Sequence, residues 1–331
     1  MTNSTQKSIR ATEKYSNKVF QTLAYLSEDE LKRLEKYLQS PYFIQSRLLP
    51  ILCGLLIKEL EKGHEGFNRR IIWQKLYPND PYDDVSFRKL CSDLLKHIQD
   101  FMVHESINTD PIQKAIELLN FVVDHKIEPL YKSTLRDVRD IIETPHYRSP
   151  QHFRAGYLLE DKYFSMMDFG MTVDQRANLE EISNYLDLSY WIEKLKLGST
   201  ALSQQRARSQ EYDIKFIDEI TTYLSIYPVD EVPGLAIYYY FYQALKEEEN
   251  VEHYFKLKML LDQYSGLIPQ MEAIELIDSA LQYCSRKINK GVQSFNQEFF
   301  ELFEDALAKG VFIVKGELAT WRFNNMIAAA L

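Results

Sequence analysis

Apolar residues recur along this chain at intervals of three and four, the spacing that lines one face of an α-helix. No segment alternates convincingly enough to be a half-buried strand. Leu31, Leu34 and Leu38 show the pattern, behind a Ser27/Glu30 pair that reads as a capping box, each side chain serving an orphan backbone N–H of the first turn. The periodicity predicts helices over 16–25, 28–39, 46–62, 68–77, 84–104, 111–125, 129–143, 150–169, 175–185, 188–206, 211–226, 233–247, 251–264, 269–289, 296–309 and 318–331. Pro111, Pro150 and Pro269 stand at or near first helical turns, where a missing N–H costs nothing. Gly63, Gly170, Gly291 and Gly310 each follow a periodic run, as C-terminal caps do.

The last six predicted helices fall into pairs whose first members begin near 211, 251 and 296, a period of 40 to 45 residues. That is nearer to HEAT or armadillo units than to the tetratricopeptide (TPR) unit. The stretch "AIYYYFYQAL", 236–245, carries five consecutive aromatic rings that point all the way round a helix. A helix apolar on every side is buried on every side. Such a helix suits the inner position of a stacked array, touching its pair-mate and both neighbouring repeats. The fold expected is therefore all-α: a right-handed helical-repeat (TPR/HEAT-like) solenoid over 109–331, behind an N-terminal helical bundle or cap over 1–108.

Composition supports a packed helical protein. Of 331 residues, 45% are hydrophobic, and Gly and Pro number only 11 each, too few for the turns of an all-β fold. The net charge of −9 is unevenly placed. Residues 1–110 carry 16 basic against 15 acidic side chains, and 111–331 carry 23 against 33. The acidic body repels phosphate backbones, so nucleic acid is conceivable only for the first third. Cys53, Cys91 and Cys284 are sparse and unpaired in sequence, which reads as reduced, core-packed thiols in a cytoplasmic protein. The longest apolar run, 48–57, is far short of a membrane span, and the N-terminus lacks a signal-peptide core.

Four stretches could carry chemistry. "LYPNDPYDDVSFRKL", 76–90, packs acidic and amide side chains between apolar runs. Counted from Asn79, the sixth position of a calcium loop is Asp84 and the twelfth Leu90, so both the turn Gly and the bidentate Glu are missing. It reads better as a hinge, with Asp83 or Asp84 capping the helix that begins near Val85. Residues 68–104 are also the place for a nucleic-acid-binding helix-turn-helix, with Arg69, Arg70, Lys75, Arg88, Lys89 and Lys96 around the turn. That turn is long, lacks Gly and is interleaved with Asp80, Asp83, Asp84 and Asp93. Asp93, His97, Asp100 and His104 form one stripe, but one helix offers only two adjacent ligands to an ion. "KLKLGSTALSQQRARSQ", 194–210, has small hydroxyls and four cations yet does not match a phosphate loop. It is the most basic patch of the acidic body and reads as a helix end followed by an exposed loop. No GxSxG, HExxH, kinase or dinucleotide pattern is present. The expectation is no enzyme, no cofactor and no metal.

The SPYF of residues 40–43, Tyr283-Cys284, Asn289 with Gly291, the "EFFELF" block at 298–303, Gly310 and Asn324 resemble a family of uncharacterised bacterial all-α helical-repeat (TPR-like) proteins. The resemblance runs through most of the chain. It implies a solenoid with no catalytic residues to carry over. It also implies an unbroken helix ending in Arg around 194–208, where Gly198 departs from the pattern, and further chain beyond Leu331. The resulting expectation is a protein- or peptide-binding scaffold. Its groove would use Lys194, Arg206, Arg208, Arg286, Asn289, Arg322 and Asn325, with an acidic ligand in view. The apolar face of Met326, Ile327, Ala330 and Leu331 adds the expectation of a symmetric homodimer through 318–331.

Overall fold

The computed structural model describes residues 15–143, 149–167, 176–208, 210–314, 317–318 and 322. Among them the chain is all-α, with fourteen α-helices and one hairpin of two-residue strands. It forms two compact units, Met1–Pro111 and Ile112–Leu331.

The first unit holds α1 (Lys18–Ala24), α2 (Glu28–Gln39), α3 (Leu48–Glu61), α4 (Arg69–Leu76) and α5 (Asp84–Thr109). Asn17, Ser27, Asn68 and Asp83 cap α1, α2, α4 and α5 with side-chain oxygens. At α2 the capping box is complete: Glu30 N–H donates to Ser27 Oγ (3.3 Å), and Ser27 N–H donates to Glu30 Oε2 (2.7 Å). The apolar faces meet in one core of Leu23, Leu34, Leu52, Leu56, Phe87, Leu94 and Ile98, all without solvent exposure. On α5 the buried stripe is Phe87, Cys91, Leu94, Ile98 and Phe101. The 76–90 stretch is a hinge. Asp83 caps α5 while Asp84 accepts from Arg69 (2.8 Å) and Tyr82 (2.7 Å), and Trp73 Nε1 donates to the Pro81 carbonyl (3.0 Å).

The second unit holds α6 (Pro111–Asp124, its first residue at the boundary), α7 (Tyr131–Glu143), α8 (Pro150–Met167), α9 (Leu179–Arg208), α10 (Ile217–Leu224), α11 (Pro233–Lys246), α12 (Glu252–Tyr264), α13 (Gln270–Asn289) and α14 (Ser294–Ala308). A small core joins α6, α7 and α8 around Leu119, Val138, Ile142 and Leu159. A much larger one runs from α8 to α14. Its centre is α11, where Leu235, Ala236, Ile237, Tyr238, Phe241, Tyr242, Ala244 and Leu245 are all buried. The helix is enclosed by α9, α12 and α13, as its all-round apolar sequence demands. Two polar pairs meet inside it: Tyr238 donates to the buried Glu272 (2.8 Å), and Cys284 Sγ lies 3.1 Å from Tyr254 Oη. All three cysteines are free and buried. Gly63, Gly291 and Gly310 end α3, α13 and α14 in left-handed conformation, φ 71°, 89° and 70°. Gly170 lies outside the described residues.

Four expectations are corrected. Helices 175–185 and 188–206 are one helix, α9, which runs unbroken through Gly198 to Arg208. Gly198 is required there by a close approach: a Cβ would stand 2.8 Å from the Tyr242 ring and 3.1 Å from Ile217. The helix expected over 211–226 shrinks to Ile217–Leu224, because Phe216 takes a left-handed φ of 66° just before it. The pairing frame shifts as well. Among α10 to α14 the most extensive packing joins α11 to α12 and α13 to α14, not α10 to α11 or α12 to α13, while α9 packs still more extensively on α8 and α11. Finally, Glu317–Leu318 pairs antiparallel with Ile313–Val314, so no helix starts at 318. The rest of the expected 318–331 helix, with the homodimer assigned to it, lies outside the described residues, Arg322 excepted.

Candidate binding site

Two of the sequence-predicted residues meet although they sit on different helices. Arg206 is in the last turn of α9, and Arg286 is near the end of α13. Between them lies "EEE", 247–249, which follows α11. Arg206 Nη2 donates to the Leu245 carbonyl, in the last turn of α11, where carbonyls lack an intrahelical donor. The same guanidinium stands 3.5 Å from Glu248 Oε2, and Arg286 Nε is 3.9 Å from Glu248 Oε1. Tyr283 holds the acidic turn in place by donating to the Glu248 carbonyl (2.9 Å), and the Arg286 guanidinium lies over the Tyr283 ring. Lys290, one turn on, reaches Glu248 (3.2 Å) and Glu249 (3.1 Å), while the buried Lys287 lies 3.4 Å from Glu249.

Four cations thus share two carboxylates. Arg286 is the least satisfied. Its Nε and Nη2 are buried and lack a hydrogen-bond partner. Burial first, and repulsion from Arg206 second, hold its pKa below the ordinary arginine value. Lys290 and then Lys287 hold Glu249 below the usual carboxylate range, and burial with the Glu248 charge pushes the Tyr283 phenol up to about 12. A carboxylate or phosphate arriving here would meet four cations against two carboxylates.

The other sequence-predicted residues do not join this cluster. Lys194 Nζ donates to the Lys215 carbonyl (2.9 Å) and lies over Tyr190. Arg208 and Asn289 are exposed at the ends of α9 and α13, flanking the cluster in sequence. Arg322 is a buried packing residue, ion-paired to Asp278 (2.6 Å) with its guanidinium over Phe312. Asn325 lies outside the described residues. Sequence reading missed Glu248, Tyr283, Lys287 and Lys290. The available signal was the spacing of Tyr283, Arg286, Lys287 and Lys290 along one helical face.

In the first unit, Arg69 and Arg88 are engaged with Asp84, and Arg70 lies over the Tyr82 ring. His97 approaches Asp100 at 3.7 Å, and His104 packs against the Tyr37 and Phe43 rings. Among the described residues no three His, Cys, Asp or Glu converge as metal ligands, and no helix is long and apolar enough to cross a membrane. Comparison with protein-family models, with curated proteins and with solved structures finds no match.

Proposed function

We propose that this chain is a non-catalytic, cytoplasmic protein- or peptide-binding scaffold of the right-handed helical-repeat type, and that its ligand presents an acidic segment to the Arg206–Arg286 cluster. The observation that carries the reading is the imbalance there: four cations, two carboxylates, and an Arg286 with two buried nitrogens unsatisfied. The helical-repeat part is supported by the succession of α9, α11 and α13, each packed on the one before, with α12 and α14 as the partners of α11 and α13. Helix ends then gather at one edge, which is how a repeat array builds a site from residues distant in sequence.

The test is titration of the full chain with a blocked hexaglutamate peptide. Arg208→Glu is the informative variant, because Arg208 is exposed at the end of α9, two residues beyond Arg206, and makes no ion pair among the described residues. It should weaken binding severalfold with an unchanged melting temperature. Equal binding to wild type and Arg208→Glu, or none to either, would refute the assignment.

A further inference from the structure

A second surface differs in chemistry and does not depend on the arginine cluster. Between α9 and α10 runs a shallow groove of about 540 Å³ lined by Asp187, Tyr190, Trp191, Phe216, Glu219 and Tyr223 over Ile220. Its rings are set as a group: Trp191 lies 5.3 Å from Tyr223 and 5.3 Å from Tyr227, which stands behind both. Three large rings stand in solvent side by side here: Phe216, Tyr223 and Tyr190 are 62%, 49% and 41% exposed.

Phe216 is the telling residue. Its φ of 66° is left-handed, a state that costs an L residue with a Cβ. Burial of the ring does not offset the cost, since the ring stands in solvent. A strained backbone that holds an apolar ring outward is the mark of a contact residue rather than of a packing residue. Asp187 and Glu219 add the second element. Neither has an ion-pair partner among the described residues, and the hydrogen bond of Asp187 is a long one from Ser183 (3.4 Å). Lys194, one turn along α9 from Tyr190, is turned to the Lys215 carbonyl and to the Tyr190 ring.

We infer that this groove docks a basic segment of a partner protein by taking an arginine or lysine side chain between the aromatic faces and the Asp187 and Glu219 carboxylates. Faces of Trp and Tyr attract cations, and a planar guanidinium also stacks on them. An apolar occupant, a second copy of this chain included, would bury two carboxylates with nothing to pair them. An acidic occupant would be repelled.

The probe is a blocked hexa-arginine peptide, titrated calorimetrically into the full chain at physiological salt. Asp187→Asn/Glu219→Gln should raise Kd about five-fold or more, beyond what loss of two distant charges does under screening. Phe216→Asn should raise it about three-fold while leaving the melting temperature unchanged or higher, since Asn tolerates the left-handed state. Loss of binding with retained stability separates contact from misfolding. Hexa-arginine that binds both variants as it binds wild type, or that fails to bind wild type, overturns the inference. So does a wild-type dimer in light scattering that Phe216→Asn dissociates, since the occupant is then a second copy. Hexaglutamate binding at the arginine cluster stands or falls separately.

Discussion

Replacing glycine by alanine at three positions should give three different outcomes, each set by what the new methyl meets. In a helix interior the substitution contributes about 0.8–1.0 kcal/mol through propensity. At Gly54, inside α3, the nearest heavy atom to the new Cβ is Glu35 Oε1 at 3.7 Å, an ordinary contact. Gly54→Ala should therefore stabilise by about 0.5–1 kcal/mol. At Gly198 the same gain is opposed by a methyl 2.8 Å from the Tyr242 ring and 3.1 Å from Ile217. Tyr242 is 4% exposed and cannot swing aside without parting α9 from α11. Overpacking of that kind costs roughly 1–3 kcal/mol, so the net effect should be a loss of about 1 kcal/mol. At Gly291, with φ 89° and open space around it, alanine meets no clash but takes the left-handed penalty of about 1–2 kcal/mol. Equilibrium urea unfolding followed by circular dichroism measures all three. If Gly198→Ala stabilised as much as Gly54→Ala, the close approach of α9 to Tyr242 would be refuted.

Tyr238→Phe removes a donor from the buried Glu272 carboxylate and should cost roughly 1.5–3 kcal/mol in the same assay. Glu59 has its pKa lowered by hydrogen bonds from Lys62 and then His64, so the stability it adds is fully present above its unfolded pKa and is lost as pH falls through the folded one. The stability difference between wild type and Glu59→Gln should shrink as pH is taken from neutral down through that acid range, and a constant difference would exclude the linkage. Arg206→Glu, unlike Arg208→Glu, should lower stability by about 1–2 kcal/mol, because it removes the charged cap on the Leu245 carbonyl. Thermal melts of the two variants side by side check this.

Local signals were legible in the sequence wherever one residue type decides the outcome. The Ser27/Glu30 box, the Asp83 cap, the glycines after α3, α13 and α14, and the all-round burial of "AIYYYFYQAL" were readable because each rests on backbone chemistry or periodicity alone. What escaped was tertiary. Gly198 reads as a helix breaker until Tyr242 is seen against it. Residues 211–216 keep a helical pattern, with Tyr212 and Ile214 ahead of Ile217, yet the left-handed Phe216 stops the helix short. The pairing frame escaped because helices of similar length and spacing can be paired one way or the other along the chain, and only packing chooses. At the binding site Arg206 was nameable from the basic patch at 194–210, and Arg286 as a polar residue on an otherwise apolar helix. Their meeting was not, because Glu248 joins them from a third segment whose own pattern, a short acidic turn, looks like any solvated loop.

Hydrogen exchange by mass spectrometry on the full chain, with and without hexaglutamate, tests the central claim most directly. In the free protein the amides of α11 should exchange most slowly in the second unit, since that helix is enclosed by α9, α12 and α13. On adding peptide, protection should rise together at three separate segments: the end of α9 around 206–208, the acidic turn at 247–250, and the end of α13 around 283–290. Protection that rises elsewhere, at only one of the three or at none would contradict a site assembled by neighbouring helix ends, and with it the scaffold reading.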